Sequence, residues 1–427
     1  MREDWAEVEL GEVFQTVTGT TPSKKEIDNY GSFIPFIKPP DINNEVINTA
    51  SEHLSEKGKK KSRILPKNSV LVTCIGNLGR IGINKTEIAF NQQINAILPT
   101  KEIAPKFIFF QAQSVNFRNQ LEALSTSTTV ALVNKSSFNT IRIEIAPLPI
   151  QRAIVRKIEN LFASLDKGIA DLKTAQEQLK VYRQAVLKKA FEGGFVKNAT
   201  KWQLLKINTL CEVVRGGSPR PAGDQKFYEG TIPFLKVADL TRNDGAYLKT
   251  HTYTIKEAGL KKTRLVSPNT LLLSNSGATL GIPKICSFET TFNDGIAAFL
   301  GLKEETLLYH YYFWLSKTKE LRNIDQGAAQ PNLNTNLIGA MEIPVGSIED
   351  QLLTVKEIES RLSVCDKVEQ SISEALEKAE ALRQSILKKA FEGKLLSEAE
   401  IAKCKQEPDY EPAAKLLERI KKEKHGK

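Results

Sequence analysis

The sequence predicts an α+β protein built twice: two similar globules, separated by two long helices that pair as an antiparallel coiled coil with a pseudo-twofold axis. Three observations carry this. RQAVLKKAFEG at Arg183 to Gly193 returns as RQSILKKAFEG at Arg383 to Gly393, identical at nine of eleven positions, so two copies of a 200-residue period fill most of the 427-residue chain. Self-similarity at a fixed period defines architecture before any other signal does. Ahead of that segment each copy mixes short β-rich runs with Gly, Asn and Pro turns. The segment itself closes a long stretch of heptad-spaced apolar residues.

The first copy opens with WAEVELGEVFQTVTGTTP from Trp5, a short strand or helix start running into a Gly-Pro loop at Gly19 to Pro22. The second opens with WQLLKINTLCEVVRGGSP from Trp202 and reaches its loop at Gly216 to Pro219. IPFIKPPDI at 34–42 and IPFLKVADL at 232–240 each read as a buried strand entering a turn at the Asp. EKGKKKSRILPKNSVL at 56–71 matches EAGLKKTRLVSPNTLL at 257–272, and FNQQINA at 90–96 matches FNDGIAA at 292–298. One helix follows in each copy, at about 105–124 and about 304–323, then a loop of polar and small residues, then a last strand.

From Gln151 to Phe191 there is no Pro and one Gly. Ile158, Leu165, Leu172, Leu179 and Val186 recur every seven residues, with Leu161, Ala175 and Tyr182 on a companion line whose weak point is Gly168. The second copy repeats this with Ile358, Cys365, Ile372, Ala379 and Ile386, joined by Val368, Ala375 and Leu382. Gly193 and Gly393 are expected to stop the two helices. A helix of this length reaches roughly 60 Å and cannot bury its stripe alone. The linker at 194–201 is too short to run back that distance, so the two helices are expected to pair antiparallel. The expected divisions are globule 1–150, central helix 151–196, globule 197–348, C-terminal helix 349–396, and a tail, 397–427, with a short helix on a loose lead.

The composition is that of a soluble globular protein, with 41% hydrophobic and 26% charged residues, but the net charge of +10 favours a polyanionic partner. Five cysteines without a C-x-x-C pair argue against a disulfide frame or a zinc site and suit a reducing compartment. The N-terminus has no signal-like apolar region and no run of 18 apolar residues occurs, so a cytoplasmic protein with no membrane partner is expected. The four histidines, His53, His251, His310 and His425, have no metal-ligand spacing or nucleophile motif beside them. There is no phosphate-binding GxxxxGK[ST] loop, GNLGRIG at 76–82 lacks the dinucleotide fingerprint, and KPPD at 38–41 lacks the amide and the aromatic ring of an amino-methyltransferase loop and reads as a turn. No catalytic residue, metal or cofactor is expected in this chain.

What remains suits DNA. Lys59, Lys60, Lys61 and Arg63 in one copy and Lys261, Lys262 and Arg264 in the other place basic clusters at one point of the repeat, where they could neutralise phosphates. Arg80, in the GNLGRIG turn, is counted with them. Arg215 and Arg220 flank the second Gly-Pro loop. The loops after the helices carry Thr128 and Thr129 in one copy and Gln326, Gln330 and Asn332 in the other, amides and hydroxyls able to meet base edges. The copies agree in framework and differ in these loops, as two readers of two different sequences would.

Over essentially its full length the chain resembles the specificity subunits of type I restriction–modification systems. The resemblance rests on the Trp5 and Trp202 openings, the Gly-Thr-Thr-Pro and Gly-Gly-Ser-Pro loops, and the FNQ and FND runs. It rests most on Pro149, Gln151, Val155, Ile158 and Glu159 with Gln351, Val355, Ile358 and Glu359, on the RQ-x-x-LKKAFEG helix ends, and on the tail PAAKLLERIKKEK. The acid usual before the first Gln is Ile150 here. The resemblance implies two target-recognition domains reading a split double-stranded DNA target, with helices that space them and dock two methyltransferase (modification) subunits. It further implies restriction subunits with translocase and nuclease activity. S-adenosylmethionine, ATP and magnesium would then belong to the partners. The nearest alternative is the DNA-recognition subunit of a methylation-only or related defence system. A fused methyltransferase or nuclease would need the cofactor loop that is missing, and a purely structural coiled coil would not need the globules.

Overall fold

Alternating and β-branched runs such as Val70–Thr73 and Thr270–Ser274 are buried along nearly their whole length, so each sits inside a sheet covered on both faces. The computed structural model describes residues 3–126, 130–196, 201–242, 245–277, 279–323 and 333–425. These form two units, Met1–Leu172 with Glu374–Lys427, and Lys173–Ser373.

In the first unit a five-stranded sheet runs in the order Thr16–Thr18, Ile94–Ile97, Val70–Thr73, Ile81–Asn84, Val46–Ile47. A four-stranded sheet runs Glu52–Leu54, Tyr30–Ile37, Ile88–Phe90, Ile64–Leu65, and Ala6–Glu9 pairs with Arg142–Ile145. The second unit has the same three sheets in the same orders: five strands from Glu212–Arg215 to Tyr247–Leu248, four from Tyr253–Ile255 to Arg264–Val266, and Gln203–Lys206 with Glu342–Val345. Even the irregularity in the long strand recurs, between Tyr30 and Ile34 and between Tyr228 and Ile232. The sequence repeat is therefore a repeat of topology.

The helix expected near 105–124 is two helices, Pro105–Ala112 and Val115–Ala123. The break falls at Ser114, whose hydroxyl takes the backbone N–H of Phe117 and starts a new helix. Its counterpart Leu307–Arg322 is continuous. Both units use one aromatic stack to tie the opening strand to a long helix. Trp5 meets Phe107 at 6.3 Å and Phe107 meets Phe391 at 5.3 Å, while Trp202 meets Tyr309 at 6.3 Å and Phe191 meets Tyr309 at 5.2 Å. This explains the Trp openings and the Phe of both KKAFEG segments.

The long helices are Leu148–Phe191 and Ile348–Phe391, each closed by a glycine at positive φ, Gly193 at 76° and Gly393 at 69°. Within each unit the two helical stretches run antiparallel. In the second, Arg183 meets Asp366 at 2.7 Å and Glu369 at 2.8 Å, and Phe195, further along the chain, lies under the earlier Arg361 at 4.8 Å. In the first, Arg383 bonds Asp166 and covers the Phe162 ring at 4.4 Å, while Lys157 reaches Glu400 at 2.8 Å. The Arg–Asp pairs occupy equivalent positions of the two repeats.

The seven-residue line is protected: Ile158, Val186, Ile358, Cys365, Ile372, Ala379 and Ile386 are buried, and Leu165, Leu172 and Leu179 are half-buried. The companion line is corrected. Leu382 is 51% exposed, Val368 41% and Tyr182 46%, and a Cβ on Gly168 would face open space. The row four residues after each heptad position, not three, faces inward: Phe162, Ile169, Gln176, Arg183 and Ala190, then Leu362, Glu369, Leu376, Arg383 and Ala390. Both spacings fit a heptad, and the apolar Leu382 and Tyr182 favoured the wrong one. Arginine fills the place because its stem covers apolar surface while its head finds a carboxylate.

The tail is not on a loose lead. Ser397 and Glu400 form a capping box for the helix Glu398–Lys405, and Ala413–His425 follows. Cys404, Leu416 and Ile420 are buried in the first unit's core. Tyr410 donates to Asp4 at 2.6 Å, Lys405 pairs with Asp4 at 3.0 Å and Arg152 with Asp409 at 2.8 Å. The Tyr410 and Lys405 bonds hold Asp4 below its ordinary value, the Arg152 bond lowers Asp409, and the Lys157 and Ser397 bonds hold Glu400 at about 2. Carboxylates depressed by folding stabilise fully above their unfolded values and lose that contribution as pH falls through the folded ones. Tail docking is thus expected to stay constant from neutral pH to about 5 and to loosen between roughly pH 4.5 and 2. Amide exchange of residues 398–425 across that range measures it, and unchanged protection down to pH 2 would contradict it.

Candidate nucleic-acid interface

Each unit folds its Gly-Pro loop over its FN turn. A Cβ on Gly19 would lie 2.0 Å from the Asn91 carbonyl oxygen, and one on Gly216 2.2 Å from that of Asn293, so only glycine allows the crossing. Thr20 donates its N–H to Phe90 at 3.0 Å, as Gly217 does to Phe292 at 3.1 Å. A tyrosine hydroxyl then pins the proline carbonyl at the loop's end, Tyr30 to Pro22 at 2.8 Å and Tyr228 to Pro219 at 2.7 Å.

The basic run joins the same place. Arg63 donates its backbone N–H to the Thr20 hydroxyl at 2.9 Å and its guanidinium to the Thr18 carbonyl at 2.7 Å. Arg264 donates Nε to the Arg215 carbonyl at 3.0 Å, the equivalent position, and Thr263 donates to Phe292 at 2.8 Å. Three segments far apart in sequence therefore form one platform in each unit. Lys60, Arg63, Lys261, Lys262 and Arg264 are exposed on it. Lys59 and Lys61 are partly engaged, at 3.5 Å from Glu87 and 2.5 Å from Glu26. Such exposed pairs contribute little and can be exchanged for phosphates. Arg215 donates Nε to the Asp294 carbonyl at 2.7 Å, and Arg220, with 74% of its side chain exposed, stands 4.0 Å from the Asp294 carboxylate.

Arg80 points elsewhere. It is half-buried and donates to the Pro39 carbonyl at 3.3 Å, fastening the GNLGRIG turn to the Pro-Pro turn. Thr128, Thr129, Gln326, Gln330 and Asn332 lie outside the described residues. The flanks of their loops are anchored beside each platform's central strand, Val133 to the Cys74 carbonyl at 2.9 Å and Leu333 to that of Asn275 at 2.8 Å.

Sequence reasoning passed over several groups here. KPPD is a short 3-10 turn, Pro39–Asp41, in which Asp41 accepts the backbone N–H of Lys38 at 2.8 Å and of Ser51 at 3.0 Å. Asp239 does the same for Lys236 at 2.8 Å and takes the Thr252 hydroxyl at 2.5 Å. The lysines so positioned diverge: Lys38 pairs with Glu52 at 2.8 Å, and Lys236 lies over the Tyr253 ring at 3.6 Å. In the second unit Lys236, Tyr253, Arg220, Ser218 and Asp294 line a cleft of about 560 Å³. Repeat alignment of IPFIK with IPFLK would have found both lysines.

Among the described residues no group of three or more His, Cys, Asp or Glu could hold a metal ion. All five cysteines are buried, and burial pushes the Cys74 and Cys211 thiols up to about 12, so neither is a thiolate at neutral pH. Burial likewise lowers His310 to about 4 and keeps it neutral. No described helix is long and apolar enough to cross a membrane.

Comparison with known proteins gives a consistent result. A family model described as the type I restriction modification DNA specificity domain matches residues 2–173 and again 199–378. The StySPI type I restriction enzyme specificity subunit of Salmonella potsdam is 24% identical over 99% of this chain and 96% of its own length. The EcoKI specificity subunit of Escherichia coli strain K12 is also 24% identical over those same shares. Among solved structures, a chain from a type I R-M system assembly superposes with a TM-score of 0.72 at 20% identity, covering 92% of this chain and 98% of that one. The HsdS subunit from Thermoanaerobacter tengcongensis gives 0.60 at 18% identity with the same coverage. At these identities the structures speak for the fold, which is the two-domain, helix-linked one read from the repeat.

Proposed function

Since the chain belongs to the type I restriction modification DNA specificity domain family, we propose that it is the non-catalytic DNA-reading subunit of a type I restriction–modification complex and recognises a split target, one block per unit. The observation that carries this reading is the duplicated platform of Gly-Pro loop, FN turn and basic run, constant in framework and different in the side chains it presents. The exposed Lys60, Arg63, Lys261, Lys262 and Arg264 would meet phosphates, and Arg215 and Arg220 would meet phosphates or guanine edges. Lys59 and Lys61 would join them on exchanging their carboxylates for DNA. We assign Thr128, Thr129, Gln326, Gln330 and Asn332 to base contact, and Arg80 to orienting its turn.

In this reading residues 1–150 and 197–348 are the readers, 151–196 and 349–396 the spacer, and 397–427 a clamp on the first reader. The exposed Tyr182 and Val368 in the second unit and Leu382 in the first give the helices apolar surface for two modification subunits. Restriction subunits would complete an assembly acting in the cytoplasm, and S-adenosylmethionine, ATP and magnesium would enter with the partners.

The purified chain is expected to transfer no methyl groups alone, and to direct methylation to one split motif once its modification subunits are present. Genome-wide mapping of N6-methyladenine in cells expressing the assembly is the measurement. Methyl transfer by the pure chain, or methylation by the assembly without a two-block motif, would overturn the proposal.

A further inference from the structure

The two platforms differ in charge at the residue that follows the Asn of the FN turn. It is Gln92 in the first unit and Asp294 in the second. The backbone that carries it is the same in both, because the glycine crossing and the tyrosine–proline bond fix the loop on one side and the turn on the other. Its orientation is fixed the same way too. The third loop residue supplies a hydroxyl that donates to the side-chain oxygen, Thr21 to Gln92 Oε1 and Ser218 to Asp294 Oδ1, the latter at 2.6 Å. Gln92 is exposed and Asp294 half-buried on the lining of its cleft, and a side chain fixed beforehand loses less freedom on binding.

We infer that Gln92 and Asp294 are the paired specificity-determining residues of this chain, Gln92 reading an adenine and Asp294 the amino group of a cytosine. This rests on the proposed reading of one target block per unit.

The chemistry follows from what each hydroxyl leaves free. With Oε1 held by Thr21, the Gln92 amide still offers its Nε2 hydrogens and a second lone pair, the donor–acceptor pair that matches adenine N7 and N6 in the major groove. An ionised carboxylate has no donor. With Oδ1 held by Ser218, Asp294 offers Oδ2, which has no hydrogen bond among the described residues, and the base edge that presents a lone donor is cytosine N4. Arg220 stands 4.0 Å from Oδ2, too far for a hydrogen bond, and is free to take O6 and N7 of the guanine paired with that cytosine. The first tip is therefore a neutral amide, the second a carboxylate beside an arginine. The preceding Asn is the same in both, so the exchange begins at the presented position.

The test uses the full chain assembled with its modification subunits, mapping methylated sites for the wild type, Asp294→Asn and Gln92→Ala. Asp294→Asn is expected to relax one base pair of one block by about tenfold to a hundredfold, leaving the other block intact. Gln92→Ala is expected to relax one base pair of the opposite block. Ser218→Ala is expected to relax the same base pair as Asp294→Asn, by less, because it frees the carboxylate without removing it. A wild-type split motif with no positional change in either variant, or with activity lowered equally at all sequences, would overturn the inference and leave the proposed function standing. A wild type that methylates without a split motif would overturn both. Failure of Asp294→Asn to assemble would also count against it, since Asn keeps the shape of the side chain and the oxygen that Ser218 bonds.

Discussion

Ile386→Asp is expected to destabilise the first unit by about 4 kcal/mol or more, whereas Leu382→Asp, one turn away on the same helix, is expected to cost less than about 1 kcal/mol. Ile386 is 7% exposed and belongs to the same core as Ile154, Ile158 and Phe162. An Asp there loses the apolar contacts and must either bury a charge or drag water into the helix pair. Leu382 is 51% exposed, and the place a companion residue would take is held by Arg383 over Phe162. Chemical denaturation of the two variants measures the difference. Equal costs would mean that the inward row runs three residues after the heptad line, and that the arginine ion pairs only decorate the surface. Ile372, 5% exposed, should behave like Ile386, while Leu172, only half-buried, should fall between.

That contrast also shows where the sequence was legible. A repeat reports on whatever both copies must keep, so it revealed the Trp openings, the glycine crossings and the helix stops. Each of these serves a contact made twice: Trp5 and Trp202 on the helix aromatics, Gly19 and Gly216 over an Asn carbonyl. Features held by one copy alone had no such echo. The tail clamp occurs once, and its one local signal, Ser397 three residues before Glu400, was a capping box without a second instance. The break at Ser114 is absent from Leu307–Arg322. The companion row was misread for a different reason. Periodicity weights apolar residues, and this row gives two of its places to Arg183 and Arg383, whose burial depends on partners across the helix pair.

The candidate interface was half legible for the same reason. The basic runs, the Gly-Pro loops and the FN turns were each visible by recurrence. Their convergence was not, because it depends on contacts between residues 43 and 76 positions apart, such as Arg63 to Thr20 and Ser218 to Asp294. Strand pairing of that range, including the parallel pairing of Tyr30–Ile37 with Ile88–Phe90, leaves no local signature. Gln92 and Asp294 therefore looked like ordinary turn residues.

Exchanging one platform is expected to change the target block of its own unit and leave the other as it was. Everything that builds a platform is supplied within its own unit: the loop, the turn and the basic run of the first come from residues 18–93, and those of the second from 215–294. No platform contact described above draws on the long helices or the tail. The exchange must respect the clamp, however. Asp4 and Glu12 bind Tyr410, Lys405 and Lys421, and Phe107 packs on Phe391. Replacing residues 1–150 wholesale with those of a relative would strip these contacts and confound specificity with stability. Replacing 16–97 alone keeps the opening strand, the helices and the clamp, and transfers the whole five- and four-stranded platform. Methylation mapping of such a chimaera, in the full assembly, should show one block changed at the base pairs its platform reads, joined to the old one across an unchanged gap. If both blocks changed together, the units would not be independent readers. If neither changed, target choice would lie outside the platforms, in the loops at 125–132 and 326–332 alone.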